Sequence, residues 1–102
     1  LVSQRLVDWI NATLPRSARY AVRSERGHDV LFLGLARRGV LRRDLRYAAE
    51  LESADYLFVF PAPGRSRTVD WISGFARLPI VHECRVAASS VCAVFRLASS
   101  PR

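Results

Sequence analysis

Basic and hydroxyl side chains form two short groups in the sequence, and each group could bind a phosphate. The first group is Arg23, Ser24, Arg26 and His28, and the second is Arg65, Ser66, Arg67 and Thr68. Arginine and histidine supply positive charge, and serine and threonine hydroxyls donate hydrogen bonds to phosphate oxygens. The alternative is structural, in which Ser66 or Thr68 caps a helix and the arginines are solvated.

A histidine and two cysteines, His82, Cys84 and Cys92, form the other set that could do chemistry. His82 and Cys84 are two residues apart and share one face of a strand, and a hairpin centred on Ala88 would place Cys92 opposite Cys84. Three interpretations stay open: a cross-strand disulfide, two buried free thiols, or three ligands of a metal ion. We expect the disulfide, which would indicate an oxidising compartment.

Common enzyme motifs are absent from the sequence. Gly-x-Ser-x-Gly, Gly-x-x-x-x-Gly-Lys, Gly-x-Gly-x-x-Gly and His-Glu-x-x-His do not occur. His28 and His82 are the only histidines, and the spacing of the carboxylates suggests no acid–base pair. We therefore expect no catalytic residue, metal or cofactor in this chain.

Hydrophobic spacing predicts the elements that would position these groups. Helices are predicted at 2–13, 29–38, 42–52 and from Ser66 or Thr68 to Arg77, and strands at 19–23, 56–60, 80–86 and 91–97. The segment 29–38 could also be a buried strand. Asp29 at its start and Arg37, Arg38 and Gly39 at its end favour a helix.

The order of these elements predicts one α/β domain with three layers over residues 1–102. The first three strands should be parallel because helices connect them, and the last should be an antiparallel hairpin strand. Helices would cover both faces of the sheet. Ligands of parallel sheets bind beyond the carboxyl ends of the strands, so the two basic groups should meet at one edge.

Composition favours a globular domain and disfavours nucleic-acid binding. Half of the residues are hydrophobic, and 25% are charged. The net charge is +7, but the sequence has no lysine, and its arginines are spread along the chain without a base-stacking aromatic motif.

The start of the chain and its apolar runs suggest a fragment of a larger protein. Residue 1 is leucine, and the sequence contains no methionine. The longest apolar run, Val30–Ala36, is too short to cross a bilayer, and no signal peptide is recognisable. We therefore expect any membrane segment to lie outside this chain.

Several short stretches together resemble a known family. They are Trp9–Pro15 with Ala18-Arg19-Tyr20, Ser53–Val59, Leu78–Val81 and Val94–Leu97. The chain resembles the soluble C-terminal extracytoplasmic domain of bacterial polytopic membrane glycosyltransferases of the protein mannosyltransferase-like (GT-C) type. In that family a helix ending in Leu-Pro leads to a strand, and Ala-Asp-Tyr precedes the next strand.

The resemblance implies an accessory domain at the extracytoplasmic face of the cell membrane. The family's catalytic carboxylates lie between early membrane helices, and no position here matches them. The implied partners are the membrane-embedded remainder of the same chain and anionic lipid or polyprenyl phosphate. If Leu1 follows a membrane helix, the carboxyl edge of the sheet should face the bilayer. Alternatives are a protein-interaction domain of a membrane or secreted protein and a basic nucleic-acid-binding module.

Overall fold

The computed structural model describes residues 4–24, 27–60, 78–86 and 89–97. Two α-helices, α1 (Gln4–Thr13) and α2 (His28–Arg37), accompany five strands. The strands are β1 (Arg19–Ser24), β2 (Arg46–Tyr47), β3 (Tyr56–Phe60), β4 (Ile80–Val86) and β5 (Ser89–Arg96), and a 3-10 helix spans Leu51–Ser53.

The strands form one mixed sheet in the order β2-β1-β3-β5-β4. β1 is parallel to β2 and to β3, and β5 is antiparallel to β3 and to β4. The predicted α/β class is therefore confirmed. The helices predicted at 2–13 and 29–38 and the strands predicted at 19–23, 56–60, 80–86 and 91–97 are also present, with bounds that differ by at most two residues.

The arrangement of the strands differs from the prediction in two respects: β2 is an additional parallel strand, and β5 lies inside the sheet. β4 points in the same direction as β3, as expected, but β5 lies between them. The physical reason is burial: Cys92 to Phe95 of β5 are fully buried, whereas Ile80 and Val81 of β4 are exposed. A strand that is apolar on both faces belongs inside a sheet.

The prediction of a helix over 42–52 is wrong, because this segment contains β2 and the 3-10 helix. The Arg42 side chain holds the start of the segment against α1. Its guanidinium donates hydrogen bonds to the carbonyl oxygens of Asn11 and Leu14, at 2.9 and 2.8 Å, and to both carboxylate oxygens of Asp44. These contacts outweigh the local helical propensity of the segment.

The Asp44 carboxylate should make the stability of the chain sensitive to acid. Its hydrogen bonds with Arg42, and then with the Ser17 backbone N–H, hold the pKa of Asp44 well below its usual range. A carboxyl group with a lower pKa in the folded state stabilises the fold above its unfolded pKa, and this contribution is lost as the pH falls. We expect the melting temperature to fall as the pH drops from about 5 to about 2, and to fall less steeply in Asp44→Asn.

The control for this prediction is Asp8→Asn, which changes an exposed aspartate on α1. Melting curves of both variants, recorded by circular dichroism over the same pH series, provide the comparison. If Asp8→Asn flattened the pH dependence as much as Asp44→Asn, the contacts of Asp44 would not be its cause.

Both α-helices pack on the same face of the sheet. Side chains of α1 and α2 join strand residues in one core cluster; its strand members include Tyr20, Val22, Phe58, Phe60, Cys92 and Val94. The second face carries Ala21, Leu57, Val59, Ala93 and Phe95, against which Leu51, Leu78 and Leu97 pack. The helix predicted to end at Arg77, which would form the third layer on this second face, lies outside the described residues.

Candidate functional site

The two longest parallel strands, β1 and β3, end side by side. Ser24, the last residue of β1, is the register partner of Phe60, the last residue of β3. β2 pairs with one side of β1, and β3 pairs with the other side. The strand order therefore reverses between β1 and β3, and a crevice forms at the carboxyl ends of the strands at such a point in an α/β sheet. The segments after both strands therefore leave the same edge, as the sequence predicts. Arg26, Arg65, Ser66, Arg67 and Thr68 lie outside the described residues.

Ser24, His28 and Phe60 are brought together at this edge, on the face that carries the helices. The Ser24 Oγ lies 2.5 Å from the His28 Nδ1. The His28 ring stacks on the Phe60 ring, with centroids 4.2 Å apart and planes 5° apart. These contacts fix the position of the imidazole at the first residue of α2. Phe60 was not among the candidate site residues from the sequence. Its position at the end of a strand, next to a strand that is followed by a histidine-containing loop, could have indicated an aromatic–histidine contact.

The start of α2 gives this edge a favourable electrostatic character for anions. Gly27, immediately before α2, has a φ of 74°, a left-handed conformation that glycine adopts without steric cost. The turn directs the positive end of the helix dipole toward the edge. Asp29, in the first turn, already offsets part of this dipole. The edge can therefore attract an anion, and the Ser24–His28 pair supplies polar groups to orient it.

Arg23 lies on the other face of the sheet from Ser24 and His28. Successive side chains of a strand alternate between faces, and Tyr20 and Val22 already occupy the helix-covered face. The Arg23 guanidinium bonds to the Val22 carbonyl oxygen at 3.1 Å. Its side chain lines a shallow cleft of about 260 Å³ together with Ala49, Glu50, Leu51 and Glu52. Arg23 therefore does not join the Ser24–His28 pair.

The sequence pattern does not predict that the segment after β2 lies at this edge, where its carboxylates reduce the positive charge. Glu50 and Glu52 line the same cleft as Arg23, so two carboxylates offset one guanidinium on this face. The pattern predicts a helix over 42–52 and does not assign Glu50 and Glu52 to this edge. The cleft is a poor site for an anion, because the carboxylates would repel it.

The cysteines and His82 lie on β5 and β4, the strands beyond β3 in the sheet order. Cys84 and Cys92 are register partners, as predicted, and their sulfurs form a disulfide, with Cα atoms 4.9 Å apart. The His82 ring stacks on the Trp9 ring of α1, with centroids 4.4 Å apart, and burial lowers the pKa of His82. Of the three interpretations, the structure contains the disulfide. No cluster of three His, Cys, Asp or Glu within the described residues could bind a metal ion.

Comparisons with known proteins add nothing to this geometry. The chain matches no protein-family model, no curated protein and no solved structure. Neither described helix has the length and apolar character needed to cross a membrane. The candidate site is thus the Ser24–His28–Phe60 cluster at the carboxyl edge of β1 and β3, defined by its contacts alone.

Proposed function

We propose that the chain is a non-catalytic accessory domain of a membrane glycosyltransferase-like protein at the extracytoplasmic face of the cell membrane. In this role it binds the phosphate of a polyprenyl carrier or of a lipid head group at the carboxyl edge of its parallel strands. The observation that carries the proposal is the Ser24–His28–Phe60 cluster at the adjacent ends of β1 and β3. The predicted third layer, on the second face of the sheet, is part of the same proposal.

The chemistry of this cluster supports a phosphate ligand. When the imidazole is protonated, its Nδ1–H donates to the Ser24 oxygen, and the Ser24 O–H and the His28 Nε2–H can both donate to phosphate oxygens. The start of α2 adds the positive end of a helix dipole. Stacking on Phe60 restricts the imidazole to one plane, so less rotational freedom is lost when a ligand binds. The net charge of +7 adds a long-range attraction for anions.

Two of the stretches that carry the resemblance lie just before β1 and β3. Leu14-Pro15 follows α1 and leads to β1, and Ala54-Asp55-Tyr56 leads into β3. The Asp55 carboxylate accepts a hydrogen bond from the Arg19 backbone N–H at 3.0 Å, and the Asp55 N–H donates to the Arg19 carbonyl oxygen at 2.8 Å. These contacts join the starts of β1 and β3. The motifs therefore hold together the two strands whose opposite ends carry the candidate site.

A second candidate function is protein interaction, and the outermost strand β4 favours it. β4 spans seven residues at one end of the sheet order, and Ile80 and Val81 are 50% and 39% exposed. An outer strand with exposed apolar side chains can pair with a strand of another protein. The gene region upstream of the Leu1 codon separates the two functions. Several apolar segments there would favour the glycosyltransferase, and a lone anchor or signal peptide would favour protein interaction.

We expect phosphate binding to depend on Ser24 and His28. In a titration followed by NMR, the backbone amides of Ser24, His28 and Phe60 should shift on addition of farnesyl phosphate. Ser24→Ala or His28→Gln should weaken the binding about tenfold, because each variant removes a hydrogen bond to a charged group. Inorganic phosphate and glycerol phosphate, titrated in parallel, distinguish a carrier from a head group or a free phosphate.

The matched control is His82→Gln, since His82 is also a histidine stacked on an aromatic ring but lies away from the edge. This variant should bind farnesyl phosphate like the parent chain. Chemical-shift changes confined to amides outside β1, β3 and α2 would refute the proposed site. An equal loss of affinity for farnesyl phosphate in His28→Gln and His82→Gln would also refute it.

A further inference from the structure

The outer face of α2 is apolar. We define it as the side turned away from the sheet, formed by Val30, Leu31, Leu33 and Gly34. Val30 is 67% exposed, Leu33 41% and Leu31 40%, whereas Phe32, which faces the sheet, is fully buried. A surface helix normally carries charged or polar residues on this side. The outer face of α2 therefore exposes apolar area in the part of the chain that the structure describes.

The neighbouring helix shows that this is a property of α2 and not of the whole layer. α1 packs on the same face of the sheet, and its exposed residues are Gln4, Arg5, Asp8, Ala12 and Thr13. Four of these five are polar or charged, so α1 follows the usual amphipathic pattern. Contact with water explains why the exposed residues of α1 are mostly polar. It does not explain why Val30, Leu31 and Leu33 of α2 are apolar.

Arginines surround the C-terminal end of the outer face. Arg37 and Arg38 are exposed at the end of α2. The Arg43 guanidinium lies beside Gly39, which follows α2, since its Nη2 atom is 3.8 Å from where a Cβ atom on Gly39 would be. None of these three arginines forms an ion pair with a described residue. Val40, which lies between Arg38 and Arg43 in sequence, is 37% exposed. The patch thus combines apolar side chains with uncompensated positive charge.

Among the described residues, no acidic side chain forms an ion pair with the arginines of this patch. The single acid of α2, Asp29, is half-buried at the opposite end of the helix. Asp44, the acid nearest to Arg43 in sequence, already accepts hydrogen bonds from Arg42 and from the Ser17 N–H. Within the described part of the chain, the positive charge at the end of α2 is therefore not offset by an ion pair, and it would attract an anionic partner.

We propose that the outer face of α2 docks on an anionic lipid bilayer. Val30, Leu31 and Leu33 would enter the boundary between head groups and acyl chains, and the arginines would bind lipid phosphates. Since the backbone of α2 bonds within the helix, it can lie in this region without losing hydrogen bonds. The inference extends the proposed function, which places the chain beside a membrane, but it uses a different surface from the Ser24–His28 edge.

A second copy of the chain fits this face less well than a bilayer does. α2 has 10 residues, so it is only about 15 Å long, and a helix pair of that length buries less than the roughly 1,200 Å² of a stable interface. Two chains that each carry a charge of +7 also repel each other. An anionic bilayer complements the same charge.

This docking defines how the domain lies on the membrane. α2 connects the end of β1 to the start of β2, which is parallel to β1, so α2 runs back along the sheet. With α2 flat on the bilayer, the strands run along the membrane plane, and the Ser24–His28 edge opens sideways at the level of the head groups. This orientation differs from the edge-first orientation predicted from the sequence, in which Arg65 and Arg67 approach the lipid.

The apolar contribution is tested by co-sedimentation with vesicles of phosphatidylcholine and phosphatidylglycerol, compared with phosphatidylcholine alone. The chain should bind the mixed vesicles more tightly, and salt should weaken the binding. Val30→Ser with Leu33→Ser should reduce binding about tenfold. The matched control, Ile80→Ser with Val81→Ser, removes two exposed apolar side chains of β4 and should leave binding unchanged. Equal losses would overturn the proposal.

The charge contribution is tested with pairs of substitutions that each lower the net charge by two. Arg37→Gln with Arg38→Gln should reduce binding to the mixed vesicles about tenfold, and Arg46→Gln with Arg96→Gln, on exposed strand positions, by about threefold or less. Melting temperatures verify that the variants fold. A larger loss from Arg65→Gln with Arg67→Gln would support the edge-first orientation and overturn docking through α2.

Two further outcomes separate this inference from its alternatives. Self-association in sedimentation that Val30→Ser with Leu33→Ser abolishes would identify a second copy as the occupant of the face and would overturn lipid docking. Phosphate binding in solution without lipid should depend on Ser24 and His28 and not on Val30 or Leu33. Failure of vesicle binding would thus leave the edge site intact, and failure of phosphate binding would leave the docking face intact.

Discussion

Replacing Phe32 by alanine should lower the free energy of unfolding by about 3–5 kcal/mol. Phe32 is fully buried and is the one residue of α2 in that state. Its ring packs against the rings of Tyr20, Phe58 and Phe60, with centroids 5.7, 5.2 and 5.8 Å away. The substitution removes the main attachment of α2 to the sheet and leaves a cavity between aromatic rings, which is the most costly kind of core substitution.

Urea denaturation followed by circular dichroism measures this loss, and Leu33→Ala is the matched control. Leu33 is adjacent to Phe32 but belongs to the outer face, so its truncation should change the free energy of unfolding by less than about 1 kcal/mol. Similar losses from the two variants would mean that α2 does not dock through Phe32. The stability of small domains is about 5–15 kcal/mol, so Phe32→Ala should leave a visibly weakened protein.

The same substitution links the stability of α2 to the candidate site. His28 begins α2, and its ring rests on Phe60, which also contacts Phe32. Loosening α2 therefore displaces the imidazole from Ser24 and from the end of β3. We expect the phosphate affinity to decrease in Phe32→Ala even though Phe32 touches no ligand, since the site depends on the packing beneath it.

The parts of the fold that the sequence predicts well are those with strong local patterns. Tyr56–Phe60 is a continuous run of apolar and aromatic residues, and β3 has the same bounds in the structure. α1 follows from the spacing of Leu6, Ile10 and Leu14, whose side chains are buried, and from Pro15, which cannot continue a helix. In these segments local preference and tertiary packing agree.

The segment 42–52 could not be predicted because its structure is decided by distant residues. Arg42 bonds to carbonyl oxygens 28 and 31 residues earlier in the chain, and nothing in the local pattern indicates those partners. β2 is two residues long, too short for an alternating pattern to appear. Its pairing with β1, through Tyr20 and Tyr47, becomes evident only once the sheet is assembled.

The sequence predicts that the segments after β1 and β3 leave one edge of the sheet, but it groups Arg23 with side chains that lie on the other face. The general rule for parallel sheets locates the edge, because it depends only on strands being parallel and adjacent. The face on which each side chain lies depends on alternation, and the burial expected for Tyr20 and Val22 could have placed Arg23 opposite to them. The carboxylates of Glu50 and Glu52 were missed because they follow the unpredicted strand β2.

The Cys84–Cys92 disulfide should contribute about 2–3 kcal/mol to the free energy of unfolding. The bridge closes a loop of sequence separation 8 and joins the outer strand β4 to the buried strand β5. The Trp9–His82 stack also attaches β4 to α1, but it is partly solvent-exposed and should be weaker than the covalent link. Without the bridge, β4 should separate from the sheet before the remaining strands do.

Mass spectrometry and denaturation test this prediction together. Protein produced under oxidising conditions should gain the mass of two hydrogen atoms on reduction, and Cys84→Ala with Cys92→Ala should unfold at lower urea concentration than the oxidised chain. Hydrogen exchange should rise first in β4, whereas β1 and β3, whose central side chains are buried on both faces, should stay protected. Two alkylatable thiols in denatured, unreduced protein would contradict the disulfide. An oxidised chain no more stable than the double variant would show instead that the bridge forms but does not constrain the fold.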